Sequence, residues 1–395
     1  MLDERFRSLK TTSPPNLWPD IEHREPRPPR REIPWGRLGT AALAFAVAAA
    51  GIALASRAFL GDRPESTERP AFTPTPPSEP PGSPRVVRTI HVGRAMAVEA
   101  GFGSAWVTVF EGRGAVRLLR VDAVTGEVTQ ITRLPIPAMA IGQTGLEVGA
   151  GSVWLATRRE TSEGPVATVV RFDPATNEMS RLYSLEGAVA TGVVVHDGVA
   201  WVPVEGEGGA RLVGFDLGTD RTISVPLPEG HPRSAFASGG AIWIRQQRDH
   251  PAPVGYSTLA KVDPSTEEVV ATVPIDDWLS VAVSDRAIWA TKGRNEVRPS
   301  LIRVDPGTAA EVGEPILPEA YLGGVMEAGH GGIWFSSANP KTGEPFIGWL
   351  DPFTGEVEAS VDLGRGRFPI VGMDVTPGAV WVIRNDGSLI QIDPT

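Results

Sequence analysis

GSVWLATRRE, residues Gly151–Glu160, and VVRFDPATNEM, residues Val169–Met179, are a pair of phrases that the chain keeps repeating. The first carries a tryptophan after a small-residue turn. That tryptophan returns as Trp106, Trp154, Trp201, Trp243, Trp289, Trp334 and Trp381. The steps between them are 48, 47, 42, 46, 45 and 47 residues, a period that belongs to propellers and solenoids. The second phrase is an apolar run that ends in Asp and a turn. It recurs as LLRVDAVTGEV from Leu118, LVGFDLGTDRT from Leu212, LAKVDPSTEEV from Leu259, LIRVDPGTAAE from Leu301 and IGWLDPFTGEV from Ile347. A last copy, LIQIDPT, ends the sequence at Thr395. Asp and Thr in these turns bond nearby backbone, and Pro presets φ.

Each unit resolves into four strands. From Gly145, alternation and β-branched content mark GLEVGA, VWLAT, ATVVRFD and MSRLYSL, with RRETSEGPV as a loop between the second and third. No helical period is sustained after the apolar run that ends near residue 60. Four short antiparallel strands repeated radially predict an all-β, seven-bladed propeller over residues 85–395. The final unit lacks its fourth strand. RVVRTIHVG, Arg85–Gly93, is similar to EEVVATVPI from Glu267 and is predicted to fill that place and close the ring. The tryptophans are then expected to pack between blades. The glycines before them serve tight turns, since no phosphate-binding pattern surrounds them.

This Trp-centred strand followed by an "hhRhDP-TGEV" turn covers about three quarters of the chain. It resembles the YVTN and streptogramin-lyase-like group of seven-bladed propellers. The resemblance implies the fold. Lyases of that group use a histidine and acidic metal-site residues in the central region, and a typical WFTE phrase. Here the matching pairs read Val107-Thr108, Leu155-Ala156, Val202-Pro203, Ile244-Arg245, Ala290-Thr291, Phe335-Ser336 and Val382-Ile383. No catalytic residue is carried over from the group, so catalytic residues stay unknown, and no cofactor or metal is predicted.

The N-terminal 85 residues differ in kind. LGTAALAFAVAAAGIALAS, Leu38–Ser56, has no charge and just reaches the length of a bilayer-crossing helix. A single uncleaved transmembrane helix is expected over 37–60, with a buried soluble helix or a cleaved signal as the alternatives. Arg24, Arg27, Arg30, Arg31 and Arg37 precede it, which puts residues 1–36 in the cytoplasm and the propeller outside the plasma membrane. Residues 61–84 are a Pro-rich linker. In the tail, Phe6, Leu9, Leu17, Trp18 and Ile21 form short apolar clusters that would dock a cytoplasmic regulator. The tail also resembles those of actinobacterial membrane proteins encoded as anti-sigma partners, although their zinc-binding His and Cys residues are missing.

Composition narrows the function further. The net charge is -10, and residues 86–395 carry 25 Lys/Arg against 37 Asp/Glu, so nucleic acid is not an expected partner. With no cysteine, disulfides, thiol nucleophiles and thiolate metal sites are excluded. The loops that lead into each first strand should share one face with the loops between second and third strands. On that face they offer Arg94, His231, Arg233, Asp277, Trp278, Tyr321, Arg367 and Phe368, a ligand-binding set. The longest inter-strand loop, Arg245–Thr258, adds His250 and Tyr256. Of six histidines, His231 is the best placed for chemistry, with Asp277 as its acidic neighbour. The reading is a membrane-tethered propeller that binds an extracellular protein, glycan or small ligand and signals through its tail. The alternative is a lyase or hydrolase acting at the central mouth. A quinone-dependent dehydrogenase lacks its tryptophan-docking signature here.

Overall fold

The computed structural model describes residues 82–395 apart from 112–114, 136–144, 220, 248–256, 276–280, 293–299, 319–321, 323, 340 and 365–368. The predicted tail, the apolar span 37–60 and the linker as far as residue 81 lie outside the described residues. Among the described residues no helix is long and apolar enough to cross a membrane.

Seven separate antiparallel sheets account for the seven sequence units. Blade 1 runs outward through Ala95–Gly101, Ser104–Glu111, Ala115–Asp122 and Val128–Pro135. The first strands of successive blades touch one another in sequence, and the last of them, Ile370–Thr376, touches the first, Ala95–Gly101. These inner strands therefore encircle an axis. Blade 7 is made of Ile370–Thr376, Ala379–Arg384 and Ser388–Asp393, with Arg85–His91 as its outermost strand. The closing strand thus sits as the sequence predicts, with Arg85 opposite Asp393 and His91 opposite Ser388. Arg85 adds an ion pair to Asp393 at 2.9 Å. From the same strand, Arg88 Nη2 donates to the Val124 carbonyl of blade 1 at 2.7 Å.

Two blades depart from the simple pattern. In blade 2 the predicted loop after Thr157 is instead a long hairpin, Ser152–Thr161 paired with Gly164–Phe172. Gly164 has φ 121°, which permits the tight two-residue turn, and the Thr161 hydroxyl donates to its carbonyl at 2.8 Å. In blade 5 the described residues form three regular strands, Val281–Ser284, Ala287–Lys292 and Ser300–Val304. Its outer edge is covered by an irregular segment that bridges Leu301 to Ile316 and Val304 to Glu311. Pro306, Pro315 and Pro318 in that segment cannot donate ladder hydrogen bonds.

All seven repeat tryptophans are buried, and they anchor the packing between sheets. Trp381 lies in the cluster of Val98 and Val107, and Trp106 in that of Leu146 and Leu155. Opposite each tryptophan, on the third strand, stands the "R" position of the second phrase. It is occupied by Arg120, Arg171, Gly214, Lys261, Arg303, Trp349 and Gln391. Where this side chain is basic it lies over an aromatic ring and often reaches the next blade. Arg120 sits 5.3 Å above Trp106 and donates to the Pro174 carbonyl at 2.9 Å. Lys261 lies over Trp243 and bonds Gly307, while Gln391 donates to the Ala123 carbonyl at 3.0 Å. The repeated motif is therefore an inter-blade arm.

Candidate functional site

Antiparallel register fixes which loops share a face. Ala95, at the leading end of an inner strand, pairs with Val109, at the end of the second strand. The second-to-third hairpins and the leading ends of the inner strands therefore border one mouth. Arg94 is exposed on it, its guanidinium 5.4 Å from the Phe110 ring centroid. His231 and Arg233 lie at the mouth on the inner strand His231–Ser238 of blade 4. A bulge between Pro232 and Ser234 makes Arg233 the extra residue, and its side chain is exposed. Arg233 Nε donates to Gln247 Oε1 at 3.0 Å. Asp277, Trp278, Tyr321, Arg367, Phe368, His250 and the docking residues of the tail lie outside the described residues.

The acidic group beside His231 is Glu205 of the preceding blade. His231 Nδ1 and Glu205 Oε1 are 2.6 Å apart, and both side chains are about one-third exposed, at 30% and 39%. The inner strand of blade 3 is broken into Ala188–Ala190 and Val194–His196. Between the halves, the Thr191 amide donates to the Pro203 carbonyl at 3.1 Å. Gly192 packs so closely on Gly145 that a Cβ on Gly145 would stand 2.5 Å from the Gly192 Cα. The contact with Glu205 orients the imidazole at the mouth. Glu205 was not legible as the partner, because it lies 26 residues before His231, in a different sheet.

His330 and His196 lie in turns on the opposite face. Trp334 Nε1 donates to His330 Nδ1 at 3.1 Å, and His330 Nε2 donates to the Pro377 carbonyl of blade 7 at 3.3 Å. His196 lies 3.3 Å from Asp197. On that face a small cavity between blades 1 and 2 is lined by Arg120, Asp122, Glu127, Thr129 and Asn177. Arg120 and Asp122 there are engaged in the inter-blade arm and the Asp turn.

The central channel holds a second cluster of titratable groups. Glu99, Glu147, Glu327 and Asp374 occupy equivalent inner-strand positions in blades 1, 2, 6 and 7, each opposite that blade's tryptophan. Burial pushes Glu327 up to about 8 and Glu147 up to about 7, with the Asp374 charge adding to both. Glu99 is driven well above the usual carboxylate range by burial first, then by Asp374, Glu147 and Glu327. Burial also raises Asp374, opposed by the backbone amides of Ala100 and Val375. Glu147 and Glu327 belong to non-adjacent blades, so their mutual influence runs across the space the ring encloses. Among the described residues no group of His, Asp and Glu has a metal-binding arrangement.

The ring of sheets defines the chain as a seven-bladed β-propeller. Among solved structures it is similar to virginiamycin B lyase from Staphylococcus aureus at 12% identity, covering 78% of this chain and 98% of that one with a TM-score of 0.54. It is equally similar to the Cps50 (Swd1) propeller domain of Myceliophteria thermophila, at 12% identity, 78% and 99% coverage and a TM-score of 0.54. Kuenenia stuttgartiensis hydrazine synthase gives 12% identity, 85% and 99% coverage and a TM-score of 0.54. At that identity the likeness is one of fold. No family model and no curated protein matches the chain.

Proposed function

We propose that the propeller performs acid–base chemistry, as a lyase or hydrolase, on a ligand seated at the mouth beside His231 and Glu205. The observation that carries this reading is the 2.6 Å contact between His231 Nδ1 and Glu205 Oε1. In an elimination, His231 would take a proton from the carbon next to a leaving group. In a hydrolysis it would take one from water. Glu205 stabilises the imidazolium formed in either case. Arg233, exposed two residues away, would grip an anionic or polar part of the substrate. We further propose that residues 37–60 tether the domain to the plasma membrane with the propeller outside and the tail inside.

A panel of lactones, esters and cyclic peptides, with quinupristin among them because one similar lyase structure contains it, tests the activity by mass spectrometry. Hydrolysis adds the mass of water, whereas elimination opens a ring with no change of mass. Substituting His231→Ala or Glu205→Gln should lower turnover by roughly 100-fold or more. Turnover unchanged in both variants would remove the dyad from the chemistry.

A second reading, a tethered binding domain for a protein, glycan or small ligand, rests on the guanidinium groups of Arg94 and Arg233, both exposed on the same rim. It expects Arg94→Ala and Arg233→Ala to weaken ligand capture, with the captured ligand recovered chemically unchanged from the wild type. Protease added to intact cells, cutting between residues 70 and 84, would release the domain if it stands outside.

A further inference from the structure

The four channel carboxyls have no part in the chemistry above. They come from one continuous arc of the ring, blades 6, 7, 1 and 2, and that arc contains the join between the two ends of the propeller. Two of them also bond across blade boundaries. The Ala100 amide of blade 1 donates to Asp374 Oδ2 of blade 7 at 2.6 Å. Glu147 of blade 2 accepts from the Val195 amide of blade 3. The same position in blades 3, 4 and 5 is Val194, Phe236 and Ala282, so the rest of the channel is apolar at this level.

The strands packed against these groups carry the other acids, apolar residues, His196 and Arg384. Glu99 meets Asp374 on one side and Glu147 on the other, with Glu327 beyond. Asp374 stands between the strands of Glu99 and Glu327. Glu147 faces the blade 3 strand, whose nearest titratable group, His196, lies 3.3 Å from Asp197. Glu327 packs toward Val281–Ser284, which carries no titratable group. On the second strand of blade 7, Arg384 is committed to Asp386 at 2.9 Å and to the Leu363 carbonyl at 2.9 Å. Four like charges gathered in one channel cannot all ionise without a cost.

We propose that this arc is a proton-dependent seam: its gathered carboxyls share protons around Asp374, which the Ala100 amide bonds, and the boundary between blades 7 and 1 loosens as those protons leave. The direction follows from linkage. Below the ordinary glutamate value of 4.5 the folded and unfolded chains both carry these protons, and the full stability is present. As pH rises the unfolded chain releases them first, so stability declines until the folded groups ionise, Glu147 near 7 and Glu327 near 8.

The test is thermal unfolding of the full chain between about pH 5.5 and about pH 9, with and without EDTA. The melting temperature should fall by roughly 5–10 °C across that range. The double variant Glu147→Gln/Glu327→Gln keeps both side-chain acceptors, so it should flatten the profile and melt above the wild type at the alkaline end. Parallel profiles for wild type and variant would overturn the proposal. So would an alkaline stability that EDTA removes, since a bound cation would then be neutralising the carboxylates. Carbon-13 titration of the wild-type carboxyls is independent of the variant's folding: midpoints for Glu147 and Glu327 above about 6 are expected, and ordinary glutamate midpoints would refute the seam.

Discussion

At the scale of single residues, the tryptophans and the groups set against them control the packing. Gly214 is the informative exception in the arm position. A Cβ there would stand 2.8 Å from the Trp201 ring, so glycine is required where other blades place a long side chain. Gly214→Ala should therefore destabilise the fold by about 1–3 kcal/mol, read as a lower midpoint in urea with an unchanged slope. Trp154 is fully buried, and Trp154→Ala should cost about 3–5 kcal/mol. Both positions were legible as repeat members. The channel carboxyls were not, although each precedes its tryptophan by seven residues: Glu99 and Trp106, Glu147 and Trp154, Glu327 and Trp334, Asp374 and Trp381. On one strand an acidic residue reads as a solvent-facing position, and nothing local says that four strands turn it toward a shared axis.

At the scale of elements, the blades repeat closely but their outer edges differ. Blade 5 has bridges at Leu301 and Val304 where other blades have a fourth strand. Its edge hydrogen bonds, Leu301 to Ile316 in both directions at 2.7 and 2.9 Å and Val312 to Arg303 at 2.8 Å, are interrupted rather than continuous. Amide exchange should be faster across residues 305–318 than across the outer strand of blade 4, Glu268–Ile275. Equal protection would show that the irregular segment seals the edge as well as a strand does. The blade 2 hairpin, whose tip RRETSEGPV reads as a loop in the sequence, shows the converse: ladder pairing from Thr157–Thr168 to Thr161–Gly164 overrides weak strand propensity.

At the scale of the molecule, the ring is closed by the propeller's first and last strands, as the incomplete last repeat implied. Arg85–His91 contributes ladder pairing to Ser388–Asp393, and the Val92 amide donates to the Gly387 carbonyl at 2.9 Å. Asp393 is held down at about 2, chiefly by the Thr395 hydroxyl and amide and then by Arg85. Alternate residues of a strand point their amides to opposite sides, so Thr89→Pro/Ile90→Pro in the full chain must remove a ladder donor at one of the two sites. Loss of about 3 kcal/mol or more and a tendency to self-associate through the exposed edge are expected, by calorimetry and light scattering. An unchanged melting temperature would show that the propeller does not depend on the clasp.

Taken alone, the amino-acid order determined the number of blades, the strand at the join and the inter-blade role of the tryptophans. Each of these follows from a short pattern repeated at a steady period, and a repeated pattern must bury its apolar face against its own copy. Folding alone decided that Glu205 meets His231 and that Glu99, Glu147, Glu327 and Asp374 share one channel. Those groups stand far apart along the chain, and only the curvature of the closed ring, a sum of small rotations between sheets, brings their charges within reach of one another.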